Sequence, residues 1–206
     1  MTRIGPAAVS IVNVGYRSTN FWVVCAGRSR LLVDLGWPGR FRTFEANLTR
    51  MGIPLSEVTH GLATHYHLDH AGAAQDLKRQ GIRLIVTEEQ LGAIPAMKRH
   101  VKPADGYTEI TLHDNVVISC AESRAYLAKL GIAGILISTP GHSDDSVTLV
   151  LDSGEAFTGD LTPPMLATEE TAAVIARSWE TLRAHGATMV YPGHGPIRPA
   201  LPTVSR

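Results

Sequence analysis

The chain has 206 residues, and its 19 lysines and arginines balance its 19 aspartates and glutamates, so the formal net charge is zero. This balance argues against a strongly basic nucleic-acid-binding protein, and the sequence contains no run of about 18 apolar residues that could span a membrane. Hydrophobic residues at 44% and charged residues at 18% are typical of a globular protein. The length predicts a single domain over residues 1–206 that needs no disulfide bonds for its stability.

The first half of the chain contains five β-rich runs and two stretches with helical spacing. In chain order, the predicted elements are strands over 9–14, 20–26 and 30–35, a helix over 41–51, a strand over 58–64, a helix over 71–80 and a strand over 82–86. Spacings of three, four and three residues put Phe41, Phe44, Leu48 and Met51 on one face of the first helix. We expect that face to be buried against a sheet.

The second half begins with an irregular stretch over 88–107. The predicted elements that follow are a strand over 115–120, a helix over 122–130, a strand over 135–138, a hairpin of strands 147–151 and 156–157, a helix over 168–185 and a strand over 188–191. Thr168 is the predicted cap of the last helix, with the two following glutamates in its first turn, and Ile175, Trp179 and Leu182 mark its buried face. This order predicts an α+β fold in which two sheets pack face to face under helices on both outer sides.

Cys25 and Cys120 each lie in an apolar run that is predicted to be a strand or a strand end. We expect two buried free thiols rather than a disulfide bond. Gly5 and Pro6 interrupt the first ten residues, which therefore lack the continuous apolar core of a signal peptide. The expected location is the cytoplasm, without membrane association.

The sequence Thr-His-Tyr-His-Leu-Asp-His over 64–70 is the first of four motifs that point to metal chemistry. It follows a predicted strand and precedes a predicted helix, so it forms a loop at the edge of a sheet. His65 and His67 are two residues apart and project from the same side of an extended chain, while Asp69 and His70 lie at the turn into the helix. Imidazole and carboxylate ligands suit zinc, and also iron or manganese.

Three further motifs also lie at strand ends: Thr-Pro-Gly-His-Ser over 139–143, Phe-Thr-Gly-Asp over 157–160 and Tyr-Pro-Gly-His-Gly over 191–195. Taken alone, His142 would more often be structural, and Asp160 would more often be a turn residue. Together, the four strand ends place seven nitrogen or oxygen ligands on one rim, namely His65, His67, Asp69, His70, His142, Asp160 and His194. Seven ligands are too many for one tetrahedral zinc ion and fit two ions with positions left open for water.

These four motifs, in this order, resemble the metallo-β-lactamase-fold hydrolase superfamily, and the resemblance covers nearly the whole chain. It implies a four-layer αββα sandwich with a site for two zinc ions, or for iron or manganese, at one edge of the sheets. Carried over by motif position, the first metal would be held by His65, His67 and His142, the second by Asp69, His70 and His194, and Asp160 would bridge the two.

The chemistry implied by the resemblance is hydrolysis of a small ester, thioester, lactone or amide by a hydroxide that bridges the two metals. Asp69 would be the catalytic residue that orients this nucleophile and accepts its proton. The motifs of residues 139–142 and 158–160 are similar to those of glyoxalase II, but the chain ends soon after His194, where that enzyme carries a helical domain. Asp160 also replaces the cysteine of the common periplasmic β-lactamases, and Pro163 stands where acyl-homoserine lactonases have a tyrosine.

Two alternative functions remain open, and both use similar motifs. Persulfide dioxygenases share the fold but use one iron, and metal-dependent phosphodiesterases use the same metals. The complete set of second-site ligands favours the binuclear hydrolase with a small-molecule substrate, and a nucleic-acid substrate is not expected. Loops over the metal rim, such as residues 16–22 and 95–107, are expected to contact the substrate. The second loop carries Lys98, Arg99, His100 and Lys102, which would either bind a carboxylate or phosphate or simply be solvated.

Overall fold

The computed structural model describes residues 9–200, and two β-sheets form the centre of this part of the chain. The first sheet contains six strands in chain order: β1 (Val9–Asn13), β2 (Trp22–Ala26), β3 (Ser29–Val33), β4 (His60–Leu62), β5 (Arg83–Thr87) and β6 (Val116–Ile118). The second sheet has the order β11-β10-β9-β8-β7, formed by β7 (Gly134–Ser138), β8 (Val147–Leu151), β9 (Glu155–Gly159), β10 (Met189–Pro192) and β11 (Arg198–Pro199).

Helices pack around these sheets. They are α1 (Phe41–Arg50), α2 (Leu68–Ala71), α3 (Ala74–Arg79), α4 (Ala93–Ala96), α5 (Cys120–Lys129) and α6 (Ala172–Ala184). The longest helix among residues 9–200 is α6, with 13 residues, and none of the helices described there could cross a bilayer.

Three separate hydrophobic clusters define four layers. The first cluster joins one face of the first sheet to α1 and α3, for example through Val23, Phe44 and Leu77. The second lies between the two sheets, and the third joins the second sheet to α6. Val23 and Val24 are neighbours in β2 but belong to different clusters, because successive side chains of a strand point to opposite faces. The predicted αββα sandwich is therefore confirmed.

The helix predicted over 71–80 is interrupted, because residues 72–73 separate α2 from α3. Gly72 lies so close to Pro38 that an added Cβ would be 2.2 Å from the proline Cδ. The amide of Ala73 donates to the carbonyl of Gly36 at 3.1 Å, so this residue bonds to another loop at the break. Met51, predicted to lie on the buried face of α1, follows the last helical residue and is 46% exposed.

The prediction that Thr168 caps the last helix was wrong. The helix α6 begins at Ala172 with Thr171 as its N-cap, because the amide of Thr168 donates to Oγ1 of Thr171 at 3.0 Å and closes a separate turn. The two glutamates that follow Thr168 therefore precede the helix. The predicted buried face of α6 is confirmed, since Ile175, Trp179 and Leu182 are each at most 1% exposed.

The helix α5 begins two residues earlier than predicted, so Cys120 is its first residue rather than the end of a strand. Ser119 and Glu122 form a capping box, in which each side chain bonds to the backbone of the other. Such a box satisfies the free amides of the first turn and fixes the start of the helix. Both thiols are free and Cys25 is buried, as expected, but Cys120 was expected to be buried and is only partly buried at the start of α5.

Strand direction brings the predicted motifs to one edge. In the first sheet β3, β4 and β5 are parallel, and in the second sheet β9 and β10 are parallel while β7 and β9 are both antiparallel to β8. The carboxyl ends of β7, β9 and β10 therefore lie on the same side. The amide of Val147 donates to the carbonyl of Thr64 at 2.8 Å, and that of Asn20 donates to Gly193 at 2.7 Å. These two bonds join the edges of the sheets beside the motifs.

Candidate metal centre

All seven predicted ligands converge at this edge. They form three overlapping groups whose ligand atoms lie within 4.8 Å of one another: His65 with His67 and His142, His65 with His70 and Asp160, and Asp69 with His70 and His194. The first and third groups have the same membership as the two ligand sets expected from the sequence. The middle group joins them.

The first group consists of imidazoles from two strand ends. Nε2 of His142 lies 3.1 Å from Nδ1 of His67, and the rings of His65 and His67 are 4.5 Å apart. His65 is 1% exposed, whereas His67 and His142 are open to solvent. The group therefore combines one buried imidazole, that of His65, with two imidazoles that solvent can reach.

The second group combines a carboxylate with two imidazoles. Oδ2 of Asp69 lies 3.4 Å from Nε2 of His70 and 3.1 Å from Nε2 of His194. The other ring nitrogen of His194 lies 2.6 Å from the carbonyl oxygen of Ser18, which fixes the orientation of the ring. A backbone acceptor at Nδ1 leaves Nε2 free to coordinate a metal.

Asp160 lies between the two groups. Its Oδ1 is 3.4 Å from Nε2 of His70, and its Oδ2 is 3.4 Å from Nε2 of His194 and 3.7 Å from Nε2 of His142. The carboxylate thus faces histidines of both groups, as a bridging ligand must.

Three buried ligand atoms have no hydrogen-bond partner: Nε2 of His65, Nε2 of His70 and Oδ1 of Asp160. The last two are in contact but are not aligned as donor and acceptor. An unsatisfied buried polar atom costs about 1–3 kcal/mol. Unpartnered atoms of three ligands aimed at one region, in a set of imidazole and carboxylate donors, fit metal ions such as zinc, iron or manganese.

The protonation of the buried imidazole in the first group suits metal binding. Burial, reinforced by the neighbouring imidazoles, holds the pKa of His65 well below its usual value. Burial also lowers the pKa of His67, and the adjacent His142 adds to this effect. Both rings are therefore neutral near pH 7, and a neutral imidazole offers the lone pair that a metal requires.

The second group carries opposite charges in close contact. Burial alone would lower the pKa of His70, but the negative charge of Asp34 and the contacts with Asp160 and Asp69 raise it well above its usual value. Burial would raise the pKa of Asp69, but the close contact with His70 and the positive charge of that ring lower it. In the metal-free protein, the proton on His70 therefore offsets part of the negative charge of the carboxylates.

Asp34 supports the site but was not identified from the sequence. It follows β3, is 1% exposed and has a φ angle of 65°, which is rare for a residue with a side chain. Oδ2 lies 2.8 Å from Nδ1 of His70, and Oδ1 accepts hydrogen bonds from the amide and hydroxyl of Thr64. The available signal was an aspartate at the end of an apolar strand, which is also typical of an ordinary turn.

Asp145 supports the backbone of the first motif. Its Oδ2 accepts a hydrogen bond of 2.7 Å from the amide of Tyr66, between the first two ligands of the first motif. Among the histidines without a motif, His60 contacts the hydroxyl of Tyr126 at 3.1 Å. His185 follows the last residue of α6, with Nδ1 2.9 Å from the carbonyl oxygen of Thr181.

Besides a cavity of about 200 Å³ lined by Asp160 and His194, two cavities that share Leu68 lie at the candidate centre. The larger, of about 310 Å³, is lined by Tyr66, His67, Leu68, Asp69, Met97 and His100. The smaller, of about 130 Å³, shares Leu68 and reaches Ala104 and Asp105. The loop over 95–107, which was expected to contact substrate, therefore lines both cavities. Lys98, one of its basic residues, is paired with Glu109.

Comparisons with known proteins identify the family of the chain. The family model described as the metallo-β-lactamase superfamily matches residues 14–194. A lactamase-like protein of Pestalotiopsis microspora is 31% identical over 186 residues, which cover 88% of this chain and 50% of the relative. An atrochrysone carboxyl ACP thioesterase of Aspergillus fumigatus is 29% identical over 183 residues, with 88% and 52% covered. The chain thus spans about half the length of these relatives.

A solved structure is also similar. A metallo-β-lactamase family protein from Thermus thermophilus superposes with a TM-score of 0.71 at 19% identity, over 93% of this chain and 75% of that one. This likeness shows the same fold. The match to the family model covers most of the chain. The chain belongs to the metallo-β-lactamase superfamily.

Proposed function

We propose that the protein is a hydrolase with two zinc ions, which acts on a small substrate with a thioester, ester, lactone or amide bond. We also propose that the whole chain forms one domain around this centre. The observation that carries the proposal is the overlap of three ligand groups around buried atoms that have no other partner. Under it, His65, His67 and His142 hold one ion, Asp69, His70 and His194 hold the other, and Asp160 is shared.

Two such ions would supply a water molecule that is deprotonated near neutral pH and positive charge to stabilise an oxyanion. The chain contributes the surroundings of this chemistry. Asp69 and His67 both line the larger cavity, so a substrate carbonyl placed there lies beside both ligand groups. Asp69 is kept ionised by His70, and it is the residue proposed to orient the attacking water and accept its proton.

The carboxylate of Asp69 has further neighbours besides His70. The hydroxyl of Thr19 lies 3.4 Å from Oδ2 of Asp69, and Thr19 is itself 2% exposed. The same oxygen also faces His194 at 3.1 Å. A carboxylate fixed by three neighbours keeps one orientation, which favours a precise proton transfer.

A thioester is the substrate bond best supported among the four. Two similar proteins of Aspergillus fumigatus are named as ACP thioesterases, with 29% and 28% identity to this chain. Because this chain spans about half or less of their length, the acyl group and its carrier are not inferred from them.

The test combines metal analysis with a substrate panel. Protein purified without chelator should contain about two zinc ions per chain and should release thiol from S-phenyl thioesters, with activity lost to chelator and restored by zinc. The panel should also include a lactone, a β-lactam, bis-p-nitrophenyl phosphate and glutathione persulfide. One iron per chain with oxygen uptake on the persulfide would replace the proposal with a dioxygenase, and cleavage of the phosphodiester alone would replace it with a phosphodiesterase. A reproducible metal content near zero would contradict the proposed centre.

A further inference from the structure

We propose that Arg17 and Arg40 form an anion-binding subsite beside the candidate metal centre, which holds a carboxylate or phosphate group of the substrate away from the bond that is cleaved. This inference rests on the proposed hydrolase function. It assigns a preferred charge to a substrate that is otherwise defined only by its reactive bond.

The subsite is the smaller of the two cavities that share Leu68. Arg17, Trp37 and Arg40 line it, together with Leu68. Leu68 also lines the larger cavity, next to His67 and Asp69. A substrate that crosses Leu68 therefore has one end at the proposed ligands and the other at the two guanidinium groups.

Arg17 is held in place by a strained turn. Its φ angle is 58°, in the left-handed region that is uncommon for a residue with a side chain. The turn is closed by a bridge between Tyr16 and Thr19, and the Arg17 guanidinium carbon lies 5.0 Å from the centre of the Trp37 ring. Stacking on the indole limits the positions that this long side chain adopts. Strain of this kind is most common at binding and active sites.

A chain of contacts links this turn to the catalytic carboxylate. The indole nitrogen of Trp37 donates to the hydroxyl of Thr19 at 3.1 Å, and that hydroxyl lies 3.4 Å from Asp69. The amide of Trp37 also donates to the hydroxyl of Tyr16 at 3.0 Å. The residue that supports Arg17 is therefore fixed relative to the proposed site of bond cleavage.

Positive charge is in excess in the smaller cavity. Within residues 9–200, neither Arg17 nor Arg40 has a carboxylate within ion-pair distance. Asp105 also lines the cavity, and one oxygen of its carboxylate accepts a hydrogen bond of 2.7 Å from the amide of Lys102. Two guanidinium groups against one carboxylate leave the cavity electropositive, and guanidinium groups prefer carboxylate or phosphate partners.

Arg17 and Arg40 both influence the pKa of the same residue, Tyr16. Burial raises the pKa of Tyr16 to about 12, while the hydrogen bond from the Trp37 amide and the positive charges of Arg17 and Arg40 oppose this rise. Both arginines also line the same cavity, so an anion bound in that cavity can contact both of them.

The first test compares matched substrates. The S-phenyl thioesters of adipic and suberic acid carry a free carboxylate on the acyl side, and their terminal amides are neutral controls. S-acetyl phosphopantetheine and S-acetyl pantetheine place a phosphate, or no charge, on the thiol side. The ratio of kcat/KM for the charged substrate to that for the neutral one should be well above one in at least one pair, and that pair shows which end of the substrate the subsite holds.

Variants then assign this preference to residues. The double variant Arg17→Gln/Arg40→Gln should lower the ratio about tenfold, as expected for the loss of charge-assisted hydrogen bonds. Arg28→Gln is the matched control, because Arg28 is an exposed arginine in the turn between β2 and β3, at the end of β2 remote from the centre. A ratio near one in every wild-type pair, or an unchanged ratio in the double variant, would overturn the subsite.

A binding measurement separates this inference from the proposed function. If no thioester is hydrolysed, the hydrolase proposal has failed, and the subsite is then decided by NMR on the purified protein. Suberate should shift the indole N–H resonance of Trp37, assigned with Trp37→Phe, more strongly than suberamide does. The shift should persist in Arg28→Gln and be lost in the double variant. Equal shifts for both ligands, or no shift, would refute the subsite whatever the activity.

Discussion

The Asp34 carboxylate lies 2.8 Å from Nδ1 of His70, and both side chains are at most 1% exposed. The other oxygen of Asp34 accepts two hydrogen bonds from Thr64, so the carboxylate cannot rotate freely. An anion at Nδ1 keeps the proton on that nitrogen and leaves Nε2 for the centre, where Asp69 and Asp160 lie.

We predict that Asp34→Asn weakens metal binding about 10–100-fold, as is usual when a partner of a ligand histidine is lost. The asparagine oxygen can still accept from Thr64, but its NH₂ group then faces Nδ1 of His70. That nitrogen must become an acceptor, which moves the proton to Nε2 and blocks coordination. Competition with a chromogenic chelator measures the affinity. Asp152→Asn, an exposed residue paired with Arg124, is the control, and equal affinities for the two variants would contradict the role of Asp34.

His194→Ala should reduce the metal content from about two ions per chain to about one. The change removes an imidazole that lies 3.1 Å from Asp69 and 3.4 Å from Asp160, whereas the group around His65 and His67 remains intact. Elemental analysis after dialysis against buffered zinc measures the stoichiometry. His185→Ala replaces an exposed histidine at the end of α6 and should retain the wild-type content. Loss of both ions would show that the two sites fill together.

Gly193→Ala should impair metal binding although the backbone at this position is not strained. A Cβ there would lie 2.5 Å from Cε1 of His70 and 2.6 Å from Oδ1 of Asp160, so the methyl group would displace two proposed ligands. Overpacking of this kind costs about 1–3 kcal/mol. Gly92→Ala is the matched control, because its Cβ would have no heavy atom within 4 Å. Chemical denaturation and metal analysis should both separate the two variants; wild-type metal content in Gly193→Ala would contradict the close packing.

The convergence of the ligands was predictable from the sequence, whereas their support was not. His142, Asp160 and His194 each follow a strand and a glycine, and strand ends that share an edge of a sandwich must meet. Asp34 also follows a strand, but its supporting role depends on the parallel pairing of β3 with β4. This pairing brings Asp34 next to Thr64. Local sequence does not reveal that pairing.

The predicted limits of a helix were wrong where its segment contacts another that is distant in sequence. The break between α2 and α3 coincides with the close approach of Gly72 to Pro38, a contact between segments more than 30 residues apart in sequence. The early start of α5 is different, because the Ser119–Glu122 capping box is a local signal that competes with the apolar run before it. The cavity lined by Arg17 and Arg40 depends on two loops, and no periodic pattern predicts their relative position.

The thiol of Cys120 should react slowly with alkylating reagents, and Glu89 should be one reason. Burial raises the pKa of Cys120 to about 12, and the charge of Glu89, which accepts a hydrogen bond from the thiol, adds to this rise. Because the thiolate is the reactive form, the rate should continue to increase above pH 9, where an ordinary thiol with a pKa of about 8.5 approaches its plateau. Peptide mapping by mass spectrometry after timed iodoacetamide treatment measures Cys120 separately from Cys25.

Glu89→Gln should accelerate this alkylation, because the amide removes the negative charge that disfavours the thiolate. Glu88→Gln is the matched control: Glu88 also raises the pKa of Cys120, but its effect is the smallest of the contributions. We therefore expect a clear increase for the first variant and a small one for the second. If the two variants react at the same rate, or if alkylation of the wild type reaches its plateau near pH 9, then burial and Glu89 do not control the reactivity of this thiol.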